Sequence, residues 1–146
     1  VCTCMPSQVE RYRHRLSGPL LDRVDLQVWV QPVDPKALVN EVAGESSRTV
    51  QARVESAREH QRQRYQTTGV ENNAALTGDN IRAVADPTPE ALSLLEQTLV
   101  LHGLSGRAWA RILKVSRTLA DLESASRVHR HHILEAAQYR LQMEAV

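Results

Sequence analysis

Apolar positions along this chain recur mostly at helical spacing, and one stretch alternates instead. Residues 7–16 (SQVERYRHRL) predict a short basic helix, broken by Ser17-Gly18-Pro19. Residues 20–23 suit a single helical turn. Residues 25–30 (DLQVWV) place Leu26, Val28 and Val30 on one face and predict a strand. One strand is not stable alone, so its sheet is expected outside this chain. After Pro32 the pattern turns helical: a short helix over 35–42 ended by Gly44, then a long one capped by Ser46 or Ser47 and running to about Thr67. The apolar stripe of that long helix is thin (Val50, Val54, Ala57, Tyr65). Residues 69–75 read as a loop, and Thr77 as the cap of a short helix to Ala85. Thr88 as cap with Pro89 behind it starts a helix over 90–101, whose leucines on both sides predict that it is sandwiched. Gly103 ends it. Ser105 caps a helix to about Glu123, and a last helix spans about 129–143. No internal repeat or low-complexity segment interrupts the series.

The 105–123 segment carries the densest chemical signal. Ala108, Ile112, Val115, Leu119 and Leu122 recur at about 100° per residue and predict the core face. Arg107, Arg111 and Lys114 form a separate stripe beside it, with Arg117 at its edge. Arg107 falls in the first turn, where the helix dipole disfavours a cation by about 0.3–1 kcal/mol. An anion at the site would offset that cost, because free N–H groups and a guanidinium fork together receive phosphate. The competing reading is a solvated basic face with Arg107 turned away. Upstream, Arg23 is fixed between a helical turn and the strand, a stiff mounting from which a guanidinium can be aimed at charge developing in a neighbour's site. The competing reading there is a local ion pair with Asp22 or Asp25.

Composition narrows the classes. With 42% hydrophobic residues, 3% aromatic and no Phe, 146 residues are enough for a core built from Leu, Val, Ile and Ala. The net charge of +1 announces neither a nucleic acid nor a membrane as partner. Of 18 basic side chains only Lys36 and Lys114 are lysines, and arginine suits bidentate phosphate contacts. There is no apolar run of about 18 residues and no signal-peptide pattern, so a cytoplasmic protein without a membrane segment is expected. Cys2 and Cys4 are too few for a disulfide framework. A start at Val1, inside a Cys-x-Cys pair, suggests a piece of a longer protein.

Taken together the motifs carry a resemblance. Cys2-Thr3-Cys4-x-Pro6, then Tyr12-Arg13-x-Arg15-x-Ser17-Gly18-Pro19-Leu20-Leu21-Asp22-Arg23-x-Asp25-Leu26, strongly resembles the ComM family of Mg-chelatase-like AAA+ ATPases. So do Gly44-Glu45-Ser46-Ser47, Gly103-Leu104-Ser105-x-Arg107-Ala108, Arg111-Ile112-Leu113-Lys114-Val115-x-Arg117-Thr118-x-Ala120-Asp121-Leu122 and Glu135-Ala136-x-Gln138-Tyr139-Arg140; residues 70–100 match only loosely.

The resemblance implies a mainly α chain: residues 1–33 as the end of an α/β AAA+ core (one short helix and one strand), residues 34–146 as a helical lid bundle. It implies Arg23 as an arginine finger acting on the neighbouring subunit, with Arg15 as the fallback. Arg107 is implied as the sensor-2 residue touching ATP in its own subunit, with Arg111 and Lys114 as supporting contacts. The implied cofactors are ATP and Mg2+. The implied partners are other copies in a hexameric ring, and DNA that is remodelled or branch-migrated during natural transformation. Cys2 and Cys4 are implied as half of a structural zinc (Zn2+) site completed upstream.

The sequence departs from a whole ATPase. Neither lysine follows a glycine, so the phosphate-loop pattern is missing, and no hydrophobic strand ends in Asp-Glu. The chain alone is therefore expected neither to hydrolyse ATP nor to bind it tightly. Two other readings stand beside the motor: a non-enzymatic helical module that binds DNA or a partner through its arginines, and a chelatase-like motor with another substrate. The arginines at 48, 53, 58, 62 and 64 face DNA, a neighbour or solvent, offset by Glu55 and Glu59. His129, His131 and His132 read as a metal cluster or a solvated helix start, and Trp29 and Trp109 as packing or interface residues.

Overall fold

A computed structural model describes residues 3–13, 15, 20, 23–36, 44–78 and 80–141. Among the described residues six α-helices carry the fold: α1 (Pro6–Arg13), α2 (Ser47–Tyr65), α3 (Asn80–Ala85), α4 (Pro89–Leu101), α5 (Gly106–Leu122) and α6 (Arg130–Leu141), with a 3-10 turn at Asn73–Ala75. The chain is mainly helical, as its periodicity predicts. The helices start where small hydroxyl side chains accept the orphan N–H groups of a first turn. Ser46 accepts from Thr49, Thr88 from Ala91 and Ser105 from Ala108. Gly103, at φ 56°, turns the chain from α4 into α5, a conformation that disfavours any residue with a Cβ. The expected helix over 35–42 is represented only by Pro35 and Lys36; its remainder and the break at Ser17-Gly18-Pro19 lie outside the described residues.

α5 is the hub. It packs against α2, α3, α4, α6 and the 3-10 turn, while α4 also packs on α6. The core cluster joins Tyr65, Leu76, Ile81, Ala85, Ala91, Leu95, Ile112, Leu113, Ala120, Val128, Ile133 and Ala136. Apart from Tyr65, aliphatic and alanine side chains fill it, in a chain without Phe. A parallel bridge between Pro87 and Val128 ties the turn before α4 to the turn before α6.

Four expectations need correction. Residues 25–30 form no ladder, and the described residues hold no named strand. The alternation is present, but no described segment pairs with it as a strand; Gln27 N–H instead donates to the Tyr139 carbonyl at the end of α6 (2.9 Å). α4 is not sandwiched: Ala91 and Leu95 are buried, whereas Val100 and Leu101 are each 79% exposed. The buried face of α5 is rotated from the expected one. Ala108, Ile112, Leu113, Ser116, Arg117, Ala120 and Asp121 are buried. Val115 and Leu119 pack against the core only partly buried and, with Leu122, line a groove of about 450 Å3 whose other wall includes Leu26, Val28 and Tyr139. The stripe of α2 is buried only in its later turns, at Ala57 and Tyr65, with Val50 and Val54 left outside.

Candidate functional site

The first turns of α5 set the site. Ser105 caps the helix, Gly106 occupies its first position, and Arg107 follows, exposed. Arg111 is one turn further on, and residues four apart share a helix face. Its guanidinium forms an ion pair with the Asp25 carboxylate. Lys114 Nζ donates to the Ala74 carbonyl (2.9 Å), bracing α5 against the 3-10 turn. The stripe expected on this helix thus splits: Arg107 is at the surface, Arg111 and Lys114 hold groups of the chain itself, and Arg117 is buried.

The segment after α1 meets this helix. Arg15 and Arg23 are exposed. Arg23 N–H donates to the Leu20 carbonyl (3.0 Å), closing a tight turn. Beyond it the chain is tied down in quick succession. Arg140 of α6 donates to the Val24 carbonyl (3.1 Å), Arg111 of α5 pairs with Asp25, and Gln27 N–H reaches the Tyr139 carbonyl. Asp25, one of the two local partners suggested for Arg23, is therefore engaged by α5; the other, Asp22, lies outside the described residues, as does Cys2. Cys4 is an exposed free thiol.

Behind the stripe lies a polar network that periodicity does not reveal. Arg117 is 1% exposed. Its Nε donates to Asp121 (3.1 Å), and its terminal nitrogens to the carbonyls of Ala85, Ser126 and Ala125 (3.4, 3.0 and 2.6 Å). Asp121, also 1% exposed, takes a bidentate grip from Arg64 of α2 and a bond from the Asn73 amide (2.9 Å). Tyr65 donates its hydroxyl to Asn73 Oδ1 (2.7 Å). Burial pushes the Asp121 carboxyl up, but the bonds from Arg64 and Asn73 and the charge of Arg117 outweigh it and hold it below the ordinary carboxylate range. Burial lowers Arg117 from its ordinary value despite the opposing charge of Asp121. A sequence signal existed: Arg117 and Asp121 stand four apart, the spacing of a helical ion pair.

The histidines form a capping device. His132 is fully buried at the third position of α6, and its Nδ1 accepts the backbone N–H of His129 (2.9 Å). A glutamate or glutamine plays this part in a capping box. A neutral imidazole has one lone pair, so Nε2 carries the proton and donates to Glu123 (2.9 Å). His131 meets the same carboxylate oxygen at 2.9 Å. The donor atoms of Glu123, His131 and His132 lie within 4.8 Å of one another, as metal ligands would. Yet His132 cannot present an Nε2 lone pair without abandoning the cap. The cluster therefore reads as a cap, and its central histidine is buried rather than solvated.

Burial lowers the pKa of His132, with His131 and His129 adding to the effect and the Glu123 carboxylate opposing it. The group binds a proton more readily unfolded than folded, so its contribution to stability is full above about pH 6.5, the ordinary imidazole value, and falls as the pH drops below it. Thermal unfolding from pH 7 to pH 5 should show Tm falling by about 3–5 °C per unit below that value. His132→Gln, which keeps an acceptor for the cap but does not titrate there, should flatten the slope. An equal slope in the variant contradicts this assignment.

Comparison with known families decides what the bundle is. The family described as "Magnesium chelatase, subunit ChlI C-terminal" matches residues 44–140, and "Magnesium chelatase, subunit ChlI" matches residues 1–38. The chain belongs to the magnesium chelatase ChlI family. Among its relatives, YifB of Salmonella typhimurium is 45% identical over 139 residues, covering 94% of this chain, and YifB of Escherichia coli is 44% identical over the same share. Competence protein ComM of Haemophilus influenzae is 39% identical over 137 residues, 92% of this chain. In each case the chain spans 26% of the relative's length.

In this ChlI family chain, Arg15 and Arg23 fall within the first matched stretch, and Arg107, Arg111 and Lys114 within the second. The Arg111–Asp25 pair joins the two. No described helix is long and apolar enough to cross a membrane.

Proposed function

We propose that the chain is the coupling part of an ATP-driven AAA+ motor that remodels DNA. In this reading residues 1–33 end the ATPase core and residues 34–146 form the lid, within a hexameric cytoplasmic ring. The observation that carries it is family membership over residues 44–140, with a relative named as a competence protein. Arg107 is the sensor-2 group: it is exposed at the start of α5, where a guanidinium would meet phosphate oxygens beside the positive end of the helix. Arg23 is the finger, held at the surface on a closed turn and offered to the next subunit's site; Arg15 is the alternative. When bound, ATP with Mg2+ supplies the phosphoryl-transfer chemistry. The chain's part is to hold positive charge where negative charge accumulates, and to let the lid respond to an occupied site. Within the chain the residues fit nucleotide only partly, because it carries arginines but no phosphate loop. Zinc fits less well: two cysteines fall short of the four ligands of a structural site, so others would have to come from elsewhere in a longer protein.

The ion pairs weigh against a DNA-binding module built on arginine stripes. Arg53 pairs with Glu45, Arg62 with Glu59, Arg64 and Arg117 with Asp121, Arg111 with Asp25 and Arg127 with Asp86. Such pairing engages Arg53, Arg62 and Arg64 of the long helix and reduces the positive field it offers to a phosphate backbone.

The test is ATP turnover with and without duplex DNA. The isolated chain should show no turnover, and a full-length protein carrying it should be stimulated severalfold by DNA. Arg107-dependent turnover by the isolated chain refutes the coupling reading. Tight, steeply salt-dependent DNA binding by the isolated chain favours the module, and turnover in the full-length protein indifferent to DNA favours a chelatase-like substrate.

A further inference from the structure

Arg111 faces Asp25 rather than open solvent, two residues beyond Arg23 and one helical turn beyond Arg107. We propose that this ion pair is a strut: Arg111 and Asp25 are positioning residues that set the aim of Arg23 from the helix carrying Arg107. The inference rests on the functional reading above and adds how the two arginines communicate.

Three observations support it. The segment is held by polar ties concentrated at Val24, Asp25 and Gln27, and they come from two helices, α5 and α6. It is not held by apolar burial: Leu26, Val28, Trp29 and Val30 are 50%, 65%, 56% and 83% exposed. The groove between Leu26 and Val28 on one side and Val115, Leu119 and Leu122 on the other leaves room for relative movement. A segment so mounted follows the helices that grip it. Arg111 and Arg107, four residues apart on one rigid helix, move together. A change of α5 angle on nucleotide contact at Arg107 is thereby delivered to the base of Arg23. The side chains of the pair are 24% and 43% exposed, so the link is partly shielded and directional while remaining breakable.

The test uses a full-length protein carrying this segment, with Asp25→Asn, Arg111→Gln, the exchange Asp25→Arg/Arg111→Asp, and Arg23→Ala as reference. A misaimed group costs about ten- to a hundredfold in rate. Each single variant should lower kcat by about tenfold or more with KM within about twofold of the parent, and the exchange should recover most of the loss. The Asp25 side chain is 43% exposed, so Asp25→Asn should leave Tm nearly unchanged and separate aim from folding. If Arg23→Ala abolishes turnover while Asp25→Asn and Arg111→Gln leave kcat intact, the strut is wrong and the functional reading stands. A rise in KM alone for Arg111→Gln makes Arg111 a nucleotide contact and also overturns the strut. Full turnover in Arg23→Ala removes the reading itself and the strut with it.

Discussion

Asp121→Ala should destabilise the bundle by about 3–5 kcal/mol, enough to leave much of the chain unfolded at 37 °C. The reason is what remains behind. Arg117, 1% exposed, would keep three carbonyl acceptors but lose the Asp121 carboxylate, leaving a buried charge uncompensated. Arg64 would lose its bidentate partner, and the Asn73 amide one of its two acceptors, keeping only the Thr118 hydroxyl. Replacing a buried ion pair by apolar groups is often neutral, but that escape is closed here. Arg117 also satisfies the carbonyls of Ala85, Ala125 and Ser126, which a hydrophobic pair would orphan. Thermal unfolding followed by circular dichroism checks it: a Tm drop of about 10–20 °C is expected for Asp121→Ala, and a drop below about 5 °C contradicts the network's role. Because Asp121 is held below the ordinary carboxylate range, its contribution persists above its ordinary pKa and is lost only as the pH falls through its lowered value. Mild acid sensitivity should therefore trace to His132.

Arg23→Ala should have the largest functional effect. An arginine finger contributes about 10^3 to 10^5 in turnover, because its charge matters most as the γ-phosphoryl departs. In a full-length protein carrying this segment, kcat should fall by at least about 10^3 with KM little changed, the pattern of a contact made in the transition state. Arg15→Ala, at the end of the turn after α1, should cost far less. The reverse order would make Arg15 the finger and leave Arg23 a surface side chain. Steady-state kinetics of the two variants, side by side, distinguish these outcomes.

Local chemistry was legible in the sequence, and tertiary chemistry was not. Ser46, Thr88 and Ser105 announce their helices because a cap depends on a hydroxyl and the next three N–H groups. The orientation of α5 was harder to read. Its apolar period points to Val115, Leu119 and Leu122, yet those side chains line a groove while Arg117 and Asp121 go inside. Hydrophobic spacing treats an arginine as surface, but the Asp121 carboxylate together with the carbonyls of Ala85, Ala125 and Ser126 makes its burial affordable. The capping role of His132 escapes notice for a similar reason: the capping-box pattern looks for glutamate or glutamine at that position. The strand pattern at 25–30 is real as alternation, but pairing needs a partner that spacing within one chain cannot supply. At the site, the shared face of Arg107 and Arg111 follows from a separation of four. The partnership of Arg111 with Asp25, 86 residues away, does not.

The most direct test is subunit mixing in a full-length protein carrying this segment. Rings of Arg23→Ala subunits should be inactive, as should rings of subunits whose phosphate-loop lysine is replaced. Mixed, they should recover measurable ATP turnover, because an intact Arg23 from one kind of subunit then faces an intact nucleotide site on the other. Mixed rings that incorporate both subunits yet stay as inactive as either parent would contradict an arginine finger working across the subunit boundary.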